Sequence, residues 1–235
     1  MYIDPDGERL RPIYSTYRMN QQGKTWNDPT YFLGSSTSAE FRRQGCLVST
    51  VSNILVSYRS DTSLTPKIIN DMNKRYFDIK LGDGSISQTD LNTAKVLSDY
   101  DLVFSRGGEN NSGSKNMDLI QEVVKAETEY AVIVKVHYKN SQSKDENGKD
   151  VTTEDTHFVT VSSVFEGTID GKKGRWIEIG ASSEYDLSGG AFSTYRPLDT
   201  WKQKDGKVYV HEDSIRRVDT VREDKSVIKR PKGAR

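Results

Sequence analysis

The chain is poorest in the residues that staple, bind metal or span membranes. Its 235 residues hold one cysteine, three histidines and six prolines. A single cysteine excludes an internal disulfide framework and any multi-thiolate zinc or iron–sulfur site. The longest apolar run is "YAVIV", far short of a membrane span. The opening "MYIDPDGERL" has no apolar stretch to act as a signal peptide. Charge of one sign is also lacking. Lys plus Arg and Asp plus Glu both number 34, so no surface for tracking nucleic-acid phosphates is indicated. The apolar content, 34%, is low but falls in periodic runs, which favours a folded chain with polar loops over a disordered one.

What is present divides into helices first and strands later. From Cys46 to Arg59, apolar residues at 47, 48, 51, 54, 55 and 58 make one helical stripe. "LTPKIINDMNKRYFD" predicts a second helix with Thr65 as its cap, Pro66 in its first turn, and Ile68, Ile69, Met72 and Tyr76 buried. "SQTDLNTAKVLS" and "NMDLIQEVVKAE" predict two more, with Leu91, Ala94 and Leu97, then Leu119, Ile120 and Val123, inward. After Glu129 the period becomes two. "YAVIVKVHY", "HFVTVSSVFEG", "RWIEIG" and "KDGKVYVHE" predict strands, with Asp170-Gly171 as one turn. The charged stretch between the first two reads as a solvated loop. The expected class is α+β, N-terminal helices packed on an antiparallel sheet. The expected organisation is a remnant of an upstream core over 1–15, a main domain over 16–220 and a basic flexible tail over 221–235.

The lone cysteine follows a glycine and opens a helix. A thiolate attacks where a thiol hardly does, and both a helix N-terminus and a nearby imidazolium lower a cysteine pKa. The plain alternative is a small buried side chain at a helix start. Of the three histidines, His211 reads as a surface residue beside two carboxylates, and His137 lies within a strand. His157 begins a strand after a polar segment, where a base can project toward a helix terminus. Cys46 and His157 are therefore the expected nucleophile and base.

"RRQGCLVSTVSNILVSY", then "LTPKIINDMN", "AVIVKVHY" and "THFVTVSSV" together resemble papain-like cysteine peptidases of the bacteriocin-processing type. The resemblance spans roughly residues 17 to 215. It implies a papain-like fold and a cysteine peptidase acting on protein or peptide substrates, with no metal or organic cofactor. It also implies a glutamine amide that donates to the oxyanion. In "YRMNQQGKTW" that residue is Gln21, with Gln22 as the alternative; Gln44 is nearer Cys46 in sequence but would be turned away by the Gly45 bend. The sequence departs from the family at the acid that orients the histidine. The expected position holds Gly180 or Ala181, leaving Glu178, Asp186 or a main-chain group. Asp4-Pro5-Asp6-Gly7 is similar to the motif ending the core of rearrangement-hotspot (Rhs) and YD-repeat proteins, after which a toxin domain follows. That resemblance implies a secreted or delivered effector, carried by a larger parent, and a protective immunity partner. Two further readings stay open: an amidase or deamidase on the same fold, and a catalytically inactive binding or cargo domain.

Overall fold

The structure, a computed structural model, describes residues 2–3, 10–11, 28–108, 111–125, 130–180, 200–204 and 207–226. Its elements run β1 (Tyr2–Ile3), β2 (Leu10–Arg11), α1 (Phe41–Gln44), α2 (Cys46–Arg59), α3 (Pro66–Asp71), α4 (Asn73–Tyr76), β3 (Ile79–Lys80), β4 (Ile86–Ser87), α5 (Thr93–Ser98), β5 (Leu102–Ser105), α6 (Gly113–Lys125), β6 (Ala131–Lys144), β7 (Asp150–Ile169), β8 (Lys172–Gly180), β9 (Trp201–Lys204), β10 (Lys207–His211), a 3-10 turn (Glu212–Ser214) and β11 (Ile215–Glu223). The class is α+β. The main sheet is antiparallel, in the order β5-β11-β6-β7-β8-β10-β9, and β2 joins β7 at Leu10 opposite Val164. β3 and β4 form a separate hairpin.

Helices cover both faces of this sheet. On one, Val51, Ile54 and Leu55 of α2 pack with Leu97 of α5 against Ala131, Ile133 and Val221. On the other, Met117, Ile120 and Val124 of α6 pack against Val132, Val134, Val159, Ile177, Val210 and Val218. Strand β6 is therefore buried on both sides, which explains its nearly unbroken run "AVIV". Each fully buried Ile, Leu or Val contributes about 1.5–3 kcal/mol, so these two layers hold the fold together.

Helix α2 begins and ends as its sequence indicates. Ser60 stops it in a left-handed conformation, with its N–H donating to Val56 O. At its far end Tyr58 donates to Val221 O at 2.8 Å and accepts from Ala131 N–H at 3.1 Å, tying the helix to β11 and β6. Thr65 caps α3, accepting from the Ile68 N–H, and Pro66 sits in its first turn. That helix is shorter than its pattern suggests. Ile69 and Tyr76 are buried, but Ile68 and Met72 are exposed, and the helix breaks at Met72, with α4 following from Asn73. In α5, Ala94 is exposed and Val96 takes the inward position. Leu119 and Val123 of α6 are only half-buried, and Met117 and Ile120 carry the core contact.

Three larger differences concern the sheet. The charged segment expected as a loop is a continuous hairpin. β6 and β7 stay paired out to Lys144 opposite Asp150, and the turn closes through Asp145 N–H to Lys149 O. Strand β11, absent from the sequence expectation, lies between β5 and β6. It extends through Glu223, so residues 221–223, expected in the tail, are part of the sheet. The Asp170-Gly171 turn does form, both residues having positive φ. Among the described residues, no helix is long and apolar enough to cross a membrane.

Candidate active site

Cys46 is the first residue of α2, and no side chain caps that helix start. No side chain therefore competes for the first-turn N–H groups. Gly45 is needed just before it. A Cβ there would come within 2.7 Å of Phe41 O and 2.8 Å of the Phe41 ring, so only glycine fits between α1 and α2 as they stand. Its φ of −77° is ordinary, so space alone sets the requirement.

His157 lies in β7, opposite Val136 of β6. It is buried, and it meets the thiol directly. Burial, the largest single influence on Cys46, pushes its pKa up. The hydrogen bond from His157 and the charge of that imidazole oppose this, joined by the main-chain N–H groups of Phe158 and Leu47. The sum is a thiol pKa below its ordinary value of 9.0. A half-buried cysteine held in this way is prepared to be a thiolate.

A second contact sets the same geometry. Thr50 Oγ1 donates to Phe158 O at 3.0 Å, joining α2 to β7 directly after His157. The sequence reading had no role for Thr50. Its one signal was a hydroxyl one turn after the cysteine, in an otherwise apolar stripe.

The other histidines are engaged elsewhere. The His137 ring is 3.1 Å from an Arg216 nitrogen and 3.6 Å from Glu154 Oε1, and its carbonyl accepts from the Trp201 indole. His211 is not a surface residue, as expected, but buried at the end of β10. Its ring packs edge-on to Trp176 at 4.8 Å, with Nδ1 accepting from the Asp213 N–H. The strand crossing there is so tight that a Cβ on Gly174 would sit 2.1 Å from His211 Nε2.

Glu178 does share a strand face with Trp176, and its carboxylate accepts from Ser163 Oγ at 3.1 Å and Lys207 Nζ at 3.2 Å. It pairs opposite Ser163, six residues along β7 from His157. At ~3.3 Å per residue that is roughly 20 Å, beyond the reach of a carboxylate. Glu178 does not orient His157. Gln21, Gln22, Ala181 and Asp186 lie outside the described residues. Gln44 is exposed at the end of α1. Among the described residues, no group of three or more His, Cys, Asp or Glu is placed to hold a metal ion.

No family model matches the chain, and no curated protein matches it.

Proposed function

We propose that this domain is a cysteine peptidase of papain-like type. The observation that carries the reading is the Cys46 thiol itself: at an uncapped helix start, bonded by His157 and two main-chain N–H groups, with its pKa lowered in spite of burial. The helix-on-sheet arrangement supports it too, with the cysteine helix against an antiparallel sheet that supplies the histidine.

In this reading the Cys46 thiolate attacks the scissile carbonyl. His157, then an imidazolium, gives its proton to the leaving amine. Water next enters, gives its proton to His157, and releases the acid product from sulfur. The Cys46 main-chain N–H, with the Gln21 amide from the family resemblance, would hold the oxyanion. No step draws on a cofactor.

The test is incubation of the wild-type chain and Cys46→Ala with a bacterial proteome, followed by mapping of new termini and deamidated side chains. New termini that need Cys46 are expected. Cys46-dependent deamidation without new termini would move the reading to the deamidase. Neither signal would overturn the enzyme.

The Asp4-Pro5-Asp6-Gly7 stretch supports a further proposal, that the domain is delivered by a larger parent and is toxic to its target. Expression in a bacterial cytoplasm should then arrest growth with the intact chain and not with Cys46→Ala. Equal growth of both strains would contradict toxicity.

A further inference from the structure

We infer that Thr50 is a positioning residue for the Cys46 thiolate, acting by holding the main chain of Phe158 against the sulfur. This rests on the Cys46–His157 pairing described above and not on which bond is cleaved.

Thr50 follows Cys46 by four residues in one continuous helix, so both side chains lie on the same face, about one 5.4 Å turn apart. In an extended strand the N–H and C=O of one residue point toward the same edge. Both of these groups on Phe158 are met by α2: its N–H by the Cys46 sulfur and its C=O by the Thr50 hydroxyl. Pairing of β8 with β7 ends at Gly180 opposite Thr160, two residues beyond Phe158. At Phe158, the first two turns of α2 meet the strand edge with a sulfur and a hydroxyl.

The choice of threonine is informative. A helical threonine commonly bonds back to the carbonyl four residues earlier, which here belongs to Cys46. A hydroxyl has one proton to give, and Thr50 gives it to β7. Thr50 is 1% exposed, so water cannot stand in for it, and its loss would leave a buried carbonyl unpaired. The Phe158–Val159 peptide, which carries that carbonyl, would then be free to tilt, and through the φ and ψ of Phe158 the preceding peptide would follow, taking its N–H off the sulfur. That preceding peptide starts at the His157 carbonyl, so the base would move as well.

Because Cys46 is the only cysteine, alkylation by iodoacetamide reads it without ambiguity. We would measure the alkylation rate against pH for the wild type, Thr50→Val, Thr50→Ser and Ser52→Ala. Ser52, also on α2, serves as the control, since its hydroxyl bonds Leu64 O, in the segment that leads into α3. Thr50→Val should move the thiol inflection upward and slow alkylation at pH 7 by about three- to tenfold. Thr50→Ser should keep the wild-type profile, and Ser52→Ala should lower thermal stability without moving it. If Thr50→Val does not fold, Thr50→Ala decides in the same way. A wild-type profile in the Val or Ala variant, or a Ser variant shifted as far as Val, overturns the assignment. A wild-type inflection already at 9 overturns the Cys46–His157 pairing instead.

Discussion

Glu178 and Ser163 face each other across β8 and β7, the carboxylate accepting from the hydroxyl at 3.1 Å. With Lys207 as its second donor, Glu178 is part of the sheet's interior wiring. Glu178→Ala should therefore destabilise the fold by about 1–3 kcal/mol, because it strands two polar partners. The Cys46 alkylation rate should stay at the wild-type value. A thiol profile shifted by this substitution would return Glu178 to the site.

Gly45 supports a second prediction. Adding a methyl group forces it into the Phe41 carbonyl and ring, both belonging to the preceding turn. Gly45→Ala should cost about 1–3 kcal/mol through overpacking and should displace the start of α2. Thermal melting and Cys46 alkylation should fall together. Unchanged alkylation with a lowered melting temperature would mean the helix start absorbs the strain without moving the thiol.

Acid should weaken the tie between β7 and Arg216 of β11. The hydrogen bonds from Arg216 hold the Glu154 carboxyl below its ordinary 4.5. A carboxyl depressed in the folded state stabilises above its unfolded pKa, and that contribution fades as pH falls through the folded value. Glu154 is about half exposed, so the effect is modest and weakened by salt. Glu154→Gln should lower the melting temperature slightly at pH 7 and flatten its decline below pH 4.5, so that the two proteins converge in acid. A parallel decline in both proteins would contradict it.

Much of the helical half was legible because its signals are local. The stripe of α2, the Gly45-Cys46 start and the Thr65-Pro66 cap each depend on residues within one or two turns. The sheet was harder for stated physical reasons. Strand β11 carries apolar residues at 215, 218 and 221, a spacing of three that reads as neither period. A bulge between Ile215 and Arg217 puts Ile215 and Val218 in the α6 core, while Val221 reaches the α2 core. Between them, the buried positions are taken by the Arg217–Asp219 ion pair, at 3.0 Å. The outer hairpin has no core to face, so nothing there imposes an apolar alternation. At the site, the cysteine could be read from its place at a helix start. His157, expected at a strand start, lies inside β7, because the polar stretch before it is paired with β6. The Thr50–Phe158 contact could not be read, since it joins residues 108 apart through a main-chain carbonyl.

The central claim is that His157, and no other histidine, makes Cys46 a reactive thiolate. The direct measurement is the pH dependence of Cys46 alkylation in the wild type, His157→Ala and His137→Ala, each checked for folding by circular dichroism. The wild type should alkylate with an inflection below 9. His157→Ala should lose this, moving the inflection up because burial then goes largely unopposed. His137→Ala, which disturbs the Arg216–Glu154 cluster, should keep the wild-type profile. A normal profile in His157→Ala, or a lost one in folded His137→Ala, would contradict the account.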